Sequence, residues 1–454
     1  MLDDCGATEF SCYATPGRPS GTETPLIDEL AAQGLMFRTC WATPLCKPTR
    51  AALLSGKYAA SNGVYGNSLS TASATFPSQH ITLARLLQLN GYATAIAGKW
   101  HLPGSPEQAE WGWDEYSMLG GYLNSEGPNL EWNGLWFRWN ECDRLYKERG
   151  TIGKKPQQYP SLFWNGCVVE NARVLPSDEF TYAPALNQEF AIKFIENNTN
   201  SPFFLYYPTV LPHRPWFGTP KDGELRERPE PGFAAQLKLA EKYLVELIEV
   251  LKETGQYDNT LVFISGDNGT QNYGKGVASE IGVRVPMIVL GGPVEARGET
   301  KALIDYVDIY PTMMDYAGIP STAASEIHGK SFKQVLEGKD ASGKEVLFSY
   351  LDLQQMVRTK DYLLDGTGGI WKCHESGNFL DYTPIEDPAT SAMKRKELLS
   401  LVKKYPVPDH SLFDKGRVSE AAKRLEKYPS HDYRSVQLQK IGNNWMKNPT
   451  RKKP

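Results

Sequence analysis

The sequence predicts an α/β fold, in which a large mixed β-sheet lies between layers of helices and is followed by a smaller antiparallel sheet. From residue 25 to about residue 316, short apolar runs alternate with helical patterns, as expected for strands buried on both faces. Beyond about Pro320 the pattern changes to short strands separated by turns. The length of 454 residues suits one large domain and a smaller one. We therefore expect a first domain over residues 1–320 and an α+β unit over residues 321–454.

Start and stop signals place the helices of the first domain. A helix over residues 25–33 ends at Gly34, and Thr82 caps a helix over residues 83–89. Two more helical patterns cover residues 190–197 and about 233–254. The predicted strands are apolar runs over residues 92–97, 203–207, 260–264 and 285–290.

Shorter elements are predicted for the second domain. Strand patterns cover residues 346–351, 356–364 and 369–372, and a charged helix covers about 390–404. The tail after Asp409 is polar and carries few structural signals.

A segment rich in tryptophan, residues 105–180, shows weak periodicity and is predicted to be an insertion above the sheet. It contains six of the 11 Trp residues of the chain: Trp111, Trp113, Trp132, Trp136, Trp139 and Trp164. At least half of them are expected to pack the insertion onto the domain. The others would suit stacking against sugar rings.

Composition excludes some classes of function. A net charge of −4 without a long basic run gives no support for nucleic-acid binding. No stretch resembles a membrane-spanning helix. Besides Cys46, six cysteines are scattered without the spacing of a zinc site, so free thiols are expected, or disulfides if the protein is exported.

Polar residues that could form a site follow three of the predicted strands. Lys99 and His101 come after one strand, His213 follows the next, and Asp267 and Asn268 follow a third. Because sites in α/β sheets gather at the carboxyl ends of strands, these side chains are expected to lie together.

Three carboxylates and an amide oxygen could bind a hard divalent cation, Ca²⁺ in preference to Mg²⁺, and they disfavour zinc or copper. The candidate ligands are Asp3, Asp4, Asp267 and Asn268. Taken alone, Asp267-Asn268-Gly269 would be an ordinary turn, and Asp3-Asp4 a frayed terminus. Their occurrence together with a motif around Cys46 is what supports a metal site.

The motif Cys46-Lys47-Pro48-Thr49-Arg50, followed by Ser55-Gly56, is a polar turn that leads into an apolar helix. A Cys beside a basic residue would ordinarily suggest a thiolate nucleophile, and an incidental Cys at a helix start is the simplest alternative. The pattern Cys-x-Pro-Thr-Arg-x-x-x-x-Ser-Gly resembles instead the motif of the type I sulfatases. In that family the Cys is oxidised to formylglycine (3-oxoalanine).

The resemblance covers about residues 1–385 and extends to other segments in the family's order. They are Asp3-Asp4-Cys5-Gly6, Gly98-Lys99-Trp100-His101-Leu102, Pro212-His213-Arg214-Pro215, Asp267-Asn268-Gly269, Gly274-Lys275-Gly276, Gly282-Val283-Arg284-Val285-Pro286, Asp308-Ile309-Tyr310-Pro311-Thr312, His328-Gly329-Lys330-Ser331 and Met356-Val357-Arg358-Thr359-Lys360-Asp361-Tyr362. The implied fold is that of the alkaline phosphatase superfamily, with a large mixed sheet and a four-stranded antiparallel domain.

The resemblance also implies roles for the candidate residues. Asp3, Asp4, Asp267 and Asn268 would bind Ca²⁺, with the modified Cys46 also at the metal. The hydrate of formylglycine at position 46 would attack sulfur, and Arg50 and Lys99 would hold it. His101 would be the base that later releases sulfate. His213 and Lys275 would face the bridging oxygen, since fixed cations stabilise charge that develops there. His213 would be the leaving-group acid, protonated in the resting complex.

A sulfated carbohydrate is the preferred substrate, and an enzyme that oxidises Cys46 is the implied partner. Neither nucleic acid nor a membrane is expected as a partner. Two alternatives stay open. The first is a phosphate or phosphonate ester hydrolase of the same superfamily, and the second is a catalytically silent, sulfatase-like binding protein in which Cys46 stays a thiol.

The amino-terminal residues Met1 and Leu2 leave no room for the apolar strand expected before Asp3 and Asp4, and no signal peptide is evident. Family resemblance implies a periplasmic or secreted protein, whereas this start, if native, implies a cytoplasmic one. We expect a longer natural amino terminus, and poor order for both aspartates in the chain as it stands.

Overall fold

The structure is a computed structural model that describes residues 1–17, 20–67, 80–103, 106, 109–120, 163–164, 166–178, 180–214, 216, 218–220, 232–271, 273–324, 326–351 and 354–406. Within these ranges, helices and strands alternate as far as residue 316 and are followed by a separate antiparallel sheet. The α/β class predicted from the sequence is confirmed.

The described α-helices are α1 (Pro25–Ala32), α2 (Cys46–Ser55), α3 (Ala59–Asn62), α4 (Leu83–Leu89), α5 (Ala183–Asn197), α6 (Phe233–Glu253), α7 (Glu280–Val283), α8 (Ile309–Tyr316), α9 (Lys333–Leu336) and α10 (Pro388–Val402). The described strands are β1 (Leu35–Trp41), β2 (Ala93–Gly98), β3 (Glu115–Leu119), β4 (Val168–Glu170), β5 (Arg173–Val174), β6 (Phe203–Tyr206), β7 (Val262–Ser265), β8 (Arg284–Val285), β9 (Met287–Leu290), β10 (Gly298–Asp305), β11 (Leu347–Leu351), β12 (Gln354–Arg358), β13 (Tyr362–Leu364), β14 (Ile370–Lys372) and β15 (Thr383–Pro384).

The strands form three sheets. The first, sheet A, has the order β10-β1-β9-β7, with β8 also paired to β1. Sheet B has the order β5-β4-β3-β2-β6. Both are mixed, since β1 is parallel to β10 and antiparallel to β9, and β3 is parallel to β2 and antiparallel to β4. Sheet C, formed by β11 to β15, is antiparallel throughout.

Helices cover sheets A and B on both faces, because successive side chains of the strands enter two different cores. Met36 of β1 packs with α1, α5 and α6, whereas its neighbours Leu35 and Phe37 pack with α2, α4 and α8. Ile288 of β9 separates Met287 and Val289 in the same way. This alternation follows from the two-residue period of a strand and produces three layers, helix–sheet–helix.

Sheets A and B meet at a seam between their edge strands β7 and β6. A groove of about 820 Å³ lies there, lined by residues of both strands. At one end of the groove, residues 1–3 lie between the sheets. Leu2 forms a parallel bridge to Gly266, and the backbone N–H of Asp3 donates to the Leu211 carbonyl at 3.0 Å. The first residues of the chain therefore connect the two sheets.

Among the described elements, five strands of the first domain, four short helices and the first half of another helix were not predicted. The strands are β1, β3, β4, β5 and β10, and the short helices are α3, α7, α8 and α9. Central strand β1 contains Arg38 and Thr39, which interrupt its apolar run, and the first half of β10 is exposed and charged. Helix α5 begins at Ala183 rather than at residue 190. Its first half was missed because polar Asn187 interrupts the apolar pattern, although this side chain lies inside the protein and donates to the Ser117 carbonyl at 2.9 Å. Sheet C has five described strands instead of four because the two-residue β15 pairs with β14.

Three of the tryptophans in the predicted insertion are described, and all three pack against the domain. Trp111 and Trp164 are buried. Trp113 stacks on Phe204, with ring centroids 5.8 Å apart. Trp132, Trp136 and Trp139 lie outside the described residues, so stacking on sugars stays a prediction for them.

Two further expectations concern cysteines and membranes. Among the described cysteines besides Cys46, Cys5, Cys12, Cys40 and Cys373 are free thiols. Cys142 and the polar tail after Asp409 lie outside the described residues. Among the described helices, none combines the length and apolar character needed to cross a bilayer. The domain boundary at residue 320 stays a prediction.

Candidate active site

Cys46 is the first residue of α2, and the motif around it is explained by local structure. Leu45 is extended, and the hydroxyl of Thr49 accepts from the Thr43 N–H at 3.0 Å, which fixes the turn before the helix. Gly56 ends α2 with a φ of 65°, a left-handed conformation that favours glycine. Every residue of α2 is buried. The motif thus places one Cys side chain at the positive end of a buried helix.

Two polar side chains contact the Cys46 sulfur. The Nδ1 atom of His101 lies 3.4 Å from Sγ, and Nδ2 of Asn67 lies 3.5 Å from it. Asn67 also accepts from the backbone N–H of Lys47 at 3.2 Å. His101 has a φ of 54°, which is uncommon for a residue with a side chain and typical of functional sites. Asn67 was missed in the sequence because it lies in a turn without a flanking strand or helix signal.

Arg50 and Lys99 bind the carboxylates of Asp3 and Asp267. The Arg50 guanidinium donates to Asp267 at 2.9 Å and to the Lys99 carbonyl at 2.7 Å. The Lys99 ammonium donates to Asp3 at 2.6 Å. All four side chains are fully buried. Each cation thus offsets the cost of burying a carboxylate.

A second group surrounds Asp4. Asn268 donates to one Asp4 oxygen at 2.9 Å, and Lys275 donates to the other at 2.8 Å. The Lys275 ammonium also lies 3.2 Å from Nε2 of His213. The other ring nitrogen of His213, Nδ1, faces the Arg214 carbonyl and therefore carries the proton of the neutral ring. Asp4 therefore contacts both Asn268, a candidate metal ligand, and Lys275, a candidate for stabilising the leaving alcohol.

Asp3 and Asp4 are well held, contrary to the expectation of a poorly ordered terminus. Both are fully buried. The Leu2 N–H donates to the Ser265 carbonyl at 2.7 Å, and the Asp267 N–H donates to the Leu2 carbonyl at 3.0 Å. The expectation was wrong because backbone bonds to both sheets fix these residues.

The acidic residues fit a bound cation. Within the described part of the chain, no hydrogen-bond donor reaches Oδ1 of Asp3 or Oδ1 of Asn268, although both atoms are buried. A buried, unsatisfied oxygen is costly unless a ligand meets it. Ligand atoms of Asp3, Asp4 and His213 lie within 4.8 Å of one another, and so do those of Asp3, Cys46 and Asp267. A set rich in carboxylate oxygens suits Ca²⁺ or Mg²⁺.

The pKa values of the metal-side carboxylates Asp3 and Asp267 are shifted in opposite directions. Burial opposes ionisation of Asp3, but the charges of Lys99 and Arg50 outweigh it, and the Asp3 pKa is lowered. Burial and the neighbouring Asp3 raise the pKa of Asp267. A cation between these carboxylates would relieve their repulsion.

Burial lowers the pKa of both histidines of the site. Burial, and then the charges of Lys99 and Lys47, lower the pKa of His101 well below 6.5. Burial also lowers the pKa of His213, against the attraction of Asp3. Protonation of His213 in the complex with a sulfate ester stays a prediction.

All ten sequence-predicted residues lie in one connected site at the seam between sheets A and B. They are Asp3, Asp4, Cys46, Arg50, Lys99, His101, His213, Asp267, Asn268 and Lys275. Elements of both sheets contribute, as expected for residues that follow the carboxyl ends of strands.

Comparisons with known proteins identify the family of the chain. The sequence model of the family named Sulfatase matches residues 1–319. Human arylsulfatase A is 30% identical over 379 residues, which cover 79% of this chain and 71% of the relative. Human N-acetylgalactosamine-6-sulfatase is 27% identical over 367 residues, which cover 72% and 63%.

A similar fold is found among solved structures. The crystal structure of Ps i-CgsB in complex with k-i-k-neocarrahexaose superimposes with a TM-score of 0.67 at 22% identity, over 93% of this chain and 96% of that one. At this identity the likeness concerns the fold. Together with the family match over residues 1–319, it leads to one conclusion: the chain belongs to the sulfatase family, a group of sulfuric ester hydrolases.

Proposed function

We propose that the protein hydrolyses a sulfate ester of a carbohydrate, with formylglycine formed from Cys46 as its nucleophile and one bound Ca²⁺. The position of Cys46 is the observation that carries the proposal. Its sulfur and one carboxylate oxygen each of Asp3 and Asp267 lie within 4.8 Å of one another. Arg50 and Lys99 bind the same carboxylates. A reactive group at residue 46 would therefore face both the cation site and two fixed positive charges.

Asp3, Asp4, Asp267 and Asn268 would hold the calcium ion. When bound, Ca²⁺ would polarise a sulfate oxygen and bring the sulfur close to residue 46. The unsatisfied oxygens of Asp3 and Asn268 support this assignment, because a cation would complete their coordination.

His101 would act as the base at residue 46. Its Nδ1 lies 3.4 Å from the side-chain atom of that residue, within reach of a shared proton. Because burial lowers its pKa, the ring is neutral and can accept a proton. The positive charges of Lys99 and Lys47 also lower the pKa of His101 and so disfavour its protonated form.

Lys275 and His213 would stabilise the departing alcohol. Charge grows on the bridging oxygen as the S–O bond breaks, and a fixed ammonium there lowers the barrier. The Nε2 atom of His213, 3.2 Å from Lys275, is the basic nitrogen of the ring. The negative charge of a bound sulfate would favour its protonation, and His213 could then donate that proton to the leaving oxygen.

A carbohydrate sulfate is the proposed substrate class. Two comparisons support it by name, the N-acetylgalactosamine-6-sulfatase and the structure with k-i-k-neocarrahexaose. Which sugar and which sulfated position are left to experiment.

The experiment is substitution of Cys46 by serine in a host that modifies only cysteine. A serine can accept sulfate, but it lacks the second hydroxyl needed to release it, so turnover of a sugar sulfate should stop. Mass spectrometry of the wild-type Cys46 peptide provides the control, since oxidation of the thiol to an aldehyde lowers its mass characteristically. Normal turnover by Cys46→Ser would overturn the mechanism.

The same preparation separates the alternatives. Faster cleavage of a phosphonate or phosphate ester than of any sulfate ester would favour the first alternative, a phosphate or phosphonate ester hydrolase. A Cys46 that stays a thiol, in a protein without activity on either ester, would favour the silent binding protein.

A further inference from the structure

Lys275 lies on a loop between β7 and β8 that has little regular structure of its own, yet its ammonium must be placed within tenths of an ångström for the proposed chemistry. The site residues named above all precede residue 320. Sheet C therefore contributes none of them, but it packs directly behind this loop.

Backbone bonds hold the loop from two sides. The Gly276 N–H donates to the Pro44 carbonyl at 2.8 Å, two residues before Cys46. On the other side, the Gly366 N–H of sheet C donates to the Ala278 carbonyl at 2.9 Å. Lys275 is thus carried between the segment that leads to the nucleophile and a turn of sheet C.

One buried carboxylate ties these parts together. Glu280, in the α7 turn of the loop, is fully buried. One of its oxygens accepts from the indole N–H of Trp41 at 3.1 Å, at the end of β1. The other accepts from the Arg358 guanidinium of β12 at 2.9 Å. A single side chain therefore contacts β1, the Lys275 loop and sheet C.

Arg358 is fixed in turn. The same guanidinium nitrogen donates to Thr39 of β1 at 3.0 Å, and the group lies over the Tyr382 ring with 5.4 Å to its centroid. Buried ion pairs often add little net stability compared with apolar residues of the same shape, and in some proteins they specify geometry instead. The pair is better explained by positioning than by stability.

We infer that the Glu280–Arg358 ion pair is a positioning device through which sheet C sets the place of Lys275 relative to Cys46. This inference rests on the proposed function. It assigns sheet C a part in catalysis without any contact with substrate.

A double-mutant cycle tests it. Arg358→Met should lower kcat on a sugar sulfate by roughly 10²-fold, because a displaced catalytic group costs about that much. In a Lys275→Ala background the same substitution should cost less than about twofold, since the two changes act through one group. Arg358→Lys, which keeps the charge, should recover most of the rate. Lys344→Met, which breaks a different buried ion pair, is the matched control and should leave kcat per folded molecule unchanged.

Amide hydrogen exchange gives a readout that does not need turnover. The Gly276 N–H, bonded to the Pro44 carbonyl, should exchange at least about tenfold faster in Arg358→Met than in wild type or in Lys344→Met. Should Arg358→Met not fold, Glu280→Gln keeps the side-chain shape and is measured in the same way.

The inference would be overturned if Arg358→Met changed neither the exchange rate of the Gly276 N–H nor kcat. It would also be overturned if Arg358→Met lowered kcat by the full factor in the Lys275→Ala background. An inactive wild-type protein would instead count against the proposed function, and the exchange experiment would still decide whether the pair positions the loop.

Discussion

The active site and a second buried group of charges differ in how completely their oxygen atoms are satisfied. The second group, here called the Lys344 cluster, consists of Tyr58, Asp305, Asp308 and Lys344. In it Asp305 accepts from the Tyr58 hydroxyl at 2.7 Å and from Lys344 at 3.0 Å. Asp308 accepts from the backbone N–H groups of Asp305 at 2.9 Å and Lys330 at 2.7 Å. All four carboxylate oxygens of the cluster have a donor.

The active site has similar charges but is incomplete. Its cations also pair with carboxylates, yet Oδ1 of Asp3 and Oδ1 of Asn268 meet no donor among the described residues. A fully connected buried network rigidifies a fold, whereas an unsatisfied buried oxygen calls for an explanation. The comparison teaches that the missing partner, rather than the density of charge, distinguishes a ligand site from a structural one.

Among the variants predicted here, Asp267→Ala should show the largest effect, because it removes one of the candidate metal ligands. Removing one carboxylate from an oxygen-rich site is expected to weaken calcium binding by several kcal/mol, on the order of magnitude given by loss of one partner from a buried pair. Activity should vanish, and added Ca²⁺ should no longer raise the melting temperature. Elemental analysis and thermal unfolding measure both.

Lys344→Met is the control for that experiment. It should destabilise the protein by about 3–5 kcal/mol because it leaves buried carboxylates unpaired. It should nevertheless keep the calcium-dependent rise in melting temperature. Equal calcium content in wild type and Asp267→Ala would refute the metal assignment.

His213→Ala sharpens the comparison within the active site by testing chemistry rather than binding. General acid catalysis contributes about 10²- to 10⁴-fold. The loss in kcat should reach that range on a sugar sulfate, whose alcohol leaves poorly, and should be small on nitrophenyl sulfate. If both substrates lose the same factor, His213 only binds the sulfate group, and Lys275 becomes the candidate acid.

The pH dependence of stability gives the smallest expected effect. Burial first, and then nearby cations, lower the pKa of His101 below the 6.5 of the free group, so below pH 6.5 the unfolded chain binds a proton that the folded protein refuses. The stability due to neutral His101 is therefore present above pH 6.5 and is lost as the pH falls.

In calcium-free buffer, His101→Asn should reduce this acid-induced loss by up to about 1.4 kcal/mol per pH unit. Denaturant titrations at pH 7.5 and 5.5 would measure it. His374→Asn, at an exposed histidine, is the control and should leave the slope as in wild type. An unchanged slope in His101→Asn would mean that the ring is charged in the folded protein.

Sequence motifs located the site because its residues lie next to strand ends or within one helical turn. Cys46 and Arg50 are one turn apart on α2, and Lys99 follows β2 directly. What the sequence could not provide were contacts between distant segments. Asn67, at the Cys46 sulfur, comes from a part of the chain without local signals. Arg358 lies in a predicted strand, but the sequence did not indicate its pairing with Glu280.

The fold was predicted where apolar runs are unbroken and missed where tertiary contacts compensate polar residues. Strand β1 is central to sheet A although it contains Arg38, which pairs with Glu299 of β10 at the surface. Strand β10 is half exposed, so its first residues have no apolar pattern. In both cases pairing with a neighbouring strand decided the structure, and pairing is not visible in one segment alone.

The seam between sheets A and B has a consequence for the cooperativity of unfolding. Asp267 follows β7 of sheet A, Lys99 follows β2 of sheet B, and Asp3 lies between them. A cation shared by Asp3 and Asp267, with Lys99 bound to Asp3, would link the half of the molecule built on sheet A to the half built on sheet B. We therefore expect calcium to raise the free energy of unfolding of both halves together, so that the ion proposed for chemistry also stabilises the seam.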